Sequence, residues 1–211
     1  MDTSKLIDIF LMIFIGMGPT KALLVYLGAT AGVDKSLQRQ VAKKAVVTAT
    51  VVALLMLVAG VVFMKLLHFT TGALTIAGGL ILLLLAVNMV LAPAKKEDQE
   101  GGLSEKELLS MASYPMGIPL ILNPVGIVAL TVFSAETTEL LNFSAIVVMI
   151  FLVAAIDFGV FLVSHRLDKY LTHERILVLE KLLGILLAAL AVQMILNGLA
   201  ELGIITMTGA H

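Results

Sequence analysis

The chain contains six apolar stretches that are each long enough to cross a lipid bilayer as a helix. About 20 apolar residues span the hydrocarbon core, and a helix satisfies its own backbone groups there. We therefore predict an all-α integral membrane protein with six transmembrane helices. Composition agrees, because 60% of the 211 residues are hydrophobic, against roughly 45–50% in soluble domains. The stretches cover residues 5–30, 42–67, 72–92, 108–135, 142–164 and 177–202.

Prolines concentrate in the first and fourth of these stretches. Pro19 lies in the first, and Pro115, Pro119 and Pro124 lie in the fourth. A proline removes one backbone donor and breaks the local hydrogen-bond pattern of a helix, and lipid offers the freed carbonyls no other partner. We therefore predict that helices 1 and 4 are interrupted. An ordinary proline kink is the alternative for any one of these residues taken alone.

Basic residues are distributed unevenly between the two ends of the predicted helices. The connections after helices 1, 3 and 5 hold 11 of the 14 Lys and Arg residues, whereas only Lys5 and Lys65 lie at the opposite ends. Basic residues favour the cytoplasmic side of a membrane. The sequence therefore predicts a multi-pass protein with both termini outside the cytoplasm.

A shift of 105 residues superposes the two halves of the chain. The matched positions include a proline, a glycine and an amide, namely Pro19 and Pro124, Gly79 and Gly184, and Asn88 and Gln193. Each half has an odd number of spans, so the two copies enter the membrane from opposite sides. We predict a first three-helix repeat over 1–92, a cytoplasmic linker over 93–107 and a second, inverted three-helix repeat over 108–211. Ser104 and Glu107 fit a capping box at the start of helix 4.

Matched interruptions in two inverted repeats are typical of a transporter binding site near the bilayer midplane. An interrupted helix exposes N–H groups at one new end and C=O groups at the other, with opposite partial charges. Two facing interruptions would hold the carboxylate and the ammonium of a small zwitterion. The predicted substrate-binding residues are Gly18, Pro19, Thr20 and Lys21 in helix 1, and Asn123, Pro124, Val125 and Gly126 in helix 4.

Lys21 and Asp157 are ionisable residues deep within predicted helices. A charge in mid-membrane costs about 3 kcal/mol on insertion scales and marks a functional-site candidate. At the helical rise, the two residues lie about 13 Å and about 10 Å from the cytoplasmic ends of their helices. These similar depths predict an ion pair or a proton-linked pair beside the site. The alternative is that Lys21 extends to the interface and Asp157 bonds a neighbouring helix.

Other residues carry weaker predictions. Asn88 and Gln193 are secondary candidates for substrate contact, although membrane amides more often bond helix to helix. The chain has no cysteine, and no catalytic motif such as H-E-x-x-H or G-x-S-x-G occurs. We therefore predict that the protein is not an enzyme and needs no cofactor or metal. It has no basic tail for nucleic acid, so the predicted partners are a small solute and the lipid bilayer.

Three segments of the sequence resemble one family of membrane proteins. Residues 179–198 closely resemble the last helix of the MarC family, also called the small neutral amino acid transporter family. Residues 115–120 with 123–126 resemble its fourth span, and residues 76–79 resemble its third. The resemblance covers nearly the whole chain. It implies a six-span inner-membrane protein with inverted repeats that carries small neutral amino acids such as glycine or alanine.

Helix 1 departs from that family pattern at three positions. Relatives usually carry Asp or Asn, Gly and Pro where this chain has Gly18, Lys21 and Leu24. A fixed ammonium at Lys21 could replace a coupling cation, so we predict weak or absent cation dependence.

The predicted function is secondary transport by alternating access, with the substrate held between the two interruptions. One alternative is a channel or passive facilitator for a small solute or anion, in which Lys21 filters anions. Another is a structural or assembly protein without translocation. The sequence leaves open the substrate, the direction of transport, the coupling ion and the number of copies that assemble.

Overall fold

The computed structural model describes residues 3–91, 103–136, 140–164 and 173–206. These ranges form helices joined by short connections, with one isolated β-bridge. The helices are α1 (Thr3–Gly16), α2 (Thr20–Ala29), α3 (Lys35–Leu67), α4 (Thr71–Leu91), α5 (Glu105–Met111), a π-helical segment (Ala112–Ile121), α6 (Pro124–Glu136), α7 (Leu140–Val163) and α8 (His173–Glu201).

Within the described ranges, four helices are long and apolar enough to cross a membrane. They are α3, α4, α7 and the Leu177–Glu201 part of α8, which correspond to the second, third, fifth and sixth predicted stretches. Their outer faces carry exposed large apolar side chains such as Leu84 and Val148. Lipid is the solvent that such surfaces fit, and the predicted class of all-helical, multi-pass integral membrane protein is confirmed.

The first and fourth predicted stretches are divided into shorter helices. In the first, α1 ends at Gly16 and α2 begins at Thr20, one residue after Pro19. In the fourth, α5 continues into the π-helical segment, whose backbone is non-helical at Tyr114, Ile118 and Pro119. Leu122 is then extended before α6 starts at Pro124. The predicted interruptions are therefore present at both prolines.

The starts of α3 and α5 can be compared with the sequence predictions. The start of α3 differs from its prediction, and the cap of α5 agrees with it. α3 begins at Lys35 instead of residue 42, because an apolar run marks only the lipid-facing part of a helix. The carboxylate of Asp34 caps α3 by accepting a hydrogen bond from the Ser36 N–H at 2.8 Å. The capping box at Ser104 and Glu107 is confirmed, and the Ser104 hydrogen bonds lower the pKa of Glu107. The last three residues of the predicted linker thus begin α5, whereas 92–102 lie outside the described residues.

Glycines bring α4 and α8 together in an antiparallel pair. A Cβ at Gly79 would lie 2.9 Å from the Ala191 carbonyl oxygen, and a Cβ at Gly184 would lie 3.2 Å from the Ala86 carbonyl oxygen. Small residues permit such close approach of backbones, which is how membrane helices gain packing energy without a hydrophobic driving force. A shift of 105 residues exchanges these two contacts, since it carries 79 to 184 and 86 to 191.

Most buried side chains form one cluster, to which α1, α2, α3, the π-helical segment, α6 and α7 contribute. A second, smaller cluster joins α4 and α8. The two interruptions lie in the first cluster, where Met17 and Leu122 have no exposed surface. The fold therefore positions both interruptions inside the protein and away from lipid.

Candidate functional site

The two interruptions contact each other directly. Met17, which follows α1, forms an isolated antiparallel β-bridge with Leu122, which precedes α6. The backbone N–H of Asn123 donates to the Gly16 carbonyl at 2.9 Å. Residues 17 and 122 are related by the 105-residue shift. The bridge therefore joins equivalent positions of the two halves.

Asn123 binds backbone groups on both sides of this contact. Its side-chain nitrogen donates to the Ile15 carbonyl at 2.8 Å. Its side-chain oxygen accepts from the N–H groups of Val125 at 2.8 Å and Gly126 at 3.2 Å. The side chain is 1% exposed. The amide of Asn123 therefore caps the start of α6 and also bonds a carbonyl at the end of α1.

Two carbonyls at the end of α1 are thus already bonded. The last four C=O groups of a helix have no partner within it, and we expected those at the first interruption to be free for a ligand. Ile15 and Gly16 instead accept hydrogen bonds from Asn123. The Asn123 side chain that bonds Ile15 lies 108 residues away in sequence, so the local sequence pattern did not reveal this contact.

Close backbone contact between Gly16 and Gly126 holds α1 against α6. A Cβ at Gly16 would overlap the Gly126 Cα and lie 2.7 Å from the Gly126 nitrogen. A Cβ at Gly126 would overlap the Gly16 carbonyl oxygen. Neither position has room for a larger side chain, so these glycines are needed for the approach of the two interruptions.

The starts of α2 and α6 differ in their capping. Asn123 caps α6, but Gly18 stands at the equivalent position before α2, and the N-cap residue Pro19 makes no side-chain cap hydrogen bond. Neither Gly18 nor Pro19 carries a side-chain acceptor for the first N–H groups of α2. The start of α2 therefore retains partial positive charge that no capping side chain at these two positions offsets.

Thr20 and Lys21 lie in the first turn of α2. Their side chains are outside the described part of the structure. Gly18, Pro19, Asn123, Pro124 and Gly126 are buried. The structure thus brings the backbones of both predicted site segments to one place, while the pairing of Lys21 with Asp157 stays a prediction.

Asp157 is fully buried on the inner face of α7. Neither of its carboxylate oxygens has a hydrogen-bond partner among the residues that the structure describes. An unpaired charge in such a place is costly. The side chain therefore needs a proton, a ligand or a cation.

Aromatic contact between α2 and α7 places Asp157 near the level of Lys21. The ring of Phe161, one turn after Asp157, lies 4.9 Å from the ring of Tyr26 between centroids. Both helices end on the side where α3 begins, since Gln38 of α3 bonds the Thr30 carbonyl and Leu162 lines a cleft with Lys35. Lys21 precedes Tyr26 by about 7.5 Å and Asp157 precedes Phe161 by about 6 Å.

The secondary candidates lie elsewhere. Asn88 is exposed on α4, about 15 Å along the helix from Gly78, the residue that packs on Pro124. Gln193 is also exposed and donates to the Asn197 side chain at 2.8 Å within α8. The structure does not bring either amide to the contact between the interruptions.

Sequence reasoning missed Ile15, Gly16, Met17 and Leu122 as parts of this region. The cap at Asn123 had a readable signal, since an asparagine followed by proline is typical of a helix start. The contacts of the other residues carry no such signal, because they depend on how distant segments pack.

Comparison with known proteins supports the assignment that the motifs suggested. The model of the MarC family integral membrane proteins matches residues 3–203. UPF0056 membrane protein MJ1677 of Methanocaldococcus jannaschii is 29% identical and covers 94% of this chain and 98% of its own length. UPF0056 membrane protein YvbG of Bacillus subtilis is 27% identical over 93% and 94% of the two chains. No solved structure matches the chain. The length of the family match shows that this chain belongs to the MarC family of integral membrane proteins.

Proposed function

We propose that this protein is a secondary transporter for a small neutral amino acid or a similar small zwitterion, and that it works by alternating access. The main support for this proposal is the bridge between Met17 and Leu122, two positions related by the 105-residue shift. Residues that contact their own equivalents lie on the axis when two repeats are related by two-fold symmetry, so this bridge supports such an axis. The exchanged contacts of Gly79 with Ala191 and of Gly184 with Ala86 agree with the same axis.

In this proposal α1 with α2, and α5 with the π-helical segment and α6, form the first and fourth of six spans. The repeats enter the membrane from opposite sides, and the basic connections lie in the cytoplasm. The interruptions then meet within the membrane. Irregular backbone is tolerated at such depth only where protein or an aqueous cavity surrounds it, which fits the burial of Met17 and Leu122.

The substrate carboxylate would bind the start of α2, which neither Gly18 nor Pro19 caps, because N–H groups and the helix dipole favour an anion there. The substrate ammonium would bind the carbonyls of Ile15 and Gly16. While Met17 and Leu122 are in contact, Asn123 donates to both carbonyls. The substrate ammonium would replace these two donors when it binds. Separation of Met17 from Leu122 would open the site.

Lys21 and Asp157 would lie beside this site as an ion pair or a proton-linked pair. A fixed ammonium at Lys21 supports transport with little or no dependence on sodium or other cations. Transport that collapses when a sodium or proton gradient is removed would contradict this part of the proposal.

Two experiments test the function. A thermal-shift screen of the amino acids on purified protein identifies ligands, because a ligand that binds the folded state raises its stability by RT ln(1 + [L]/Kd). Counterflow in proteoliposomes then separates a carrier from a pore. We expect unlabelled substrate inside the vesicles to accelerate entry of labelled glycine or alanine. Entry without such acceleration indicates a channel or facilitator, and no ligand and no entry indicate a structural role.

A further inference from the structure

A basic cleft lies where α3 begins and α7 ends. The cleft has a volume of about 540 Å³ and is open at the surface of the protein. Five of its lining residues come from the first turns of α3 and one from the end of α7. They are Lys35, Ser36, Arg39, Gln40, Lys43 and Leu162.

Three cations of this cleft lie on one side of α3. Lys35, Arg39 and Lys43 recur every four residues and are all exposed, so successive turns of the helix stack them along the cleft. Lys35 lies in the first turn of α3, where the helix dipole adds positive potential. Asp34 is the acidic neighbour on this element, and its carboxylate is turned to the helix start, where it accepts from the Ser36 N–H.

The charged surface continues into an apolar one along the same helix. Val47 follows Lys43 by one turn, and Val51 and Val58 extend the exposed face, with 50%, 57% and 64% of their surface accessible. Leu162 adds an apolar wall from α7. This arrangement has cations at the end of a membrane-spanning helix and a lipid-facing aliphatic stripe directly after them.

We propose that this cleft binds an anionic phospholipid, with the phosphate headgroup against Lys35, Arg39 and Lys43 and an acyl chain along Val47, Val51 and Val58. Basic pockets between membrane helices are suited to such headgroups, and each cation near the headgroup strengthens binding about fivefold. A free anion would use the three cations but would gain nothing from the aliphatic stripe. The inference is independent of the transport proposal.

Native mass spectrometry of the purified full chain in neutral detergent tests the site. Phosphatidylglycerol, phosphatidylcholine with the same acyl chains, and inorganic phosphate are titrated separately. We expect phosphatidylglycerol to bind at least tenfold more tightly than phosphatidylcholine, and phosphate to bind no better than phosphatidylcholine. Lys43→Gln should weaken phosphatidylglycerol binding about fivefold, and the triple change Lys35→Gln, Arg39→Gln and Lys43→Gln should weaken it about 100-fold.

Lys44→Gln is the matched control, since Lys44 is exposed on the same turn but does not line the cleft. It should leave phosphatidylglycerol affinity within twofold. Equal affinity for the two lipids, or equal losses for the changes at Lys43 and Lys44, would overturn the proposal. Phosphate binding as tight as phosphatidylglycerol binding would assign the cleft to a free anion and would also overturn it. The altered residues are exposed, so an unchanged melting temperature without lipid verifies that each variant is folded.

Discussion

Among the single residues that the structure describes, Asn123 is the one whose side chain bonds both interrupted helices. It joins the end of α1 to the start of α6 through donors on both its backbone and its side chain. These groups are buried, and an unpaired buried backbone group costs about 1–3 kcal/mol. The contact between the interruptions therefore depends on hydrogen bonds from both the backbone and the side chain of Asn123.

Two substitutions separate the roles of Asn123. Serine retains an oxygen that caps α6 but is too short to reach the Ile15 carbonyl, whereas alanine loses both interactions. We expect Asn123→Ala to be less stable than Asn123→Ser by about 1 kcal/mol, the usual value of a cap. Both variants should melt below the original protein in detergent. Equal melting temperatures for the two variants would show that the cap at α6 contributes nothing.

Asp157 offers a prediction in which thermal stability and transport are measured on the same variant. Asp157→Asn keeps the shape of the side chain, so thermal stability should be unchanged if Asp157 is protonated, and it should fall by about 3–5 kcal/mol if Asp157 pairs with Lys21, whose buried charge would then lose its partner. In either case transport should fall at least tenfold. Full transport by Asp157→Asn, together with full transport by Lys21→Ala, would reject the predicted pair.

At the scale of helices and their contacts, the prolines were informative because their effect is local. The breaks beside Pro19 and Pro124 follow from the missing N–H and the fixed backbone of proline. The start of α3 at Lys35 did not follow, since apolarity reports contact with lipid and not the full length of a helix. The bond from Asn123 to Ile15 was out of reach for a related reason, because it depends on the packing of segments 108 residues apart.

Gly126 tests the contact between α1 and α6. Gly126→Ala must push the two helices apart, because its Cβ would overlap the Gly16 carbonyl oxygen. We expect a loss of about 1–3 kcal/mol in the free energy of unfolding, as for other overpacked sites. Gly159→Ala on α7 is the control, since no atom lies within 4 Å of its added Cβ. Alanine is the better helix former, so Gly159→Ala should leave stability unchanged or raise it. Comparable losses at both glycines would mean that the contact between α1 and α6 does not set the effect.

At the scale of the whole molecule, the proposed carrier depends on relative movement of two similar halves. The contacts between the halves include the bridge between the interruptions, the interface of α4 with α8, and the packing of α3 on α6 and α7. The glycine contacts hold α4 and α8 in a close antiparallel interface. We expect this interface to stay packed while the two halves move during transport. The bridge of Met17 with Leu122 involves few backbone bonds, so it is the contact that we expect to open during transport.

A reversible cross-link between Met17 and Leu122 tests whether this bridge opens during transport. The chain has no cysteine, so Met17→Cys with Leu122→Cys introduces the only two thiols. Opposite residues in an antiparallel bridge have Cα atoms about 4.5–5.5 Å apart, within the roughly 4.4–6.8 Å that a disulfide spans. We predict that oxidation abolishes counterflow of the identified amino acid, that reduction restores it, and that each single variant is unaffected by oxidant. Undiminished counterflow in the fully cross-linked protein would show that the site works without separation of the interruptions.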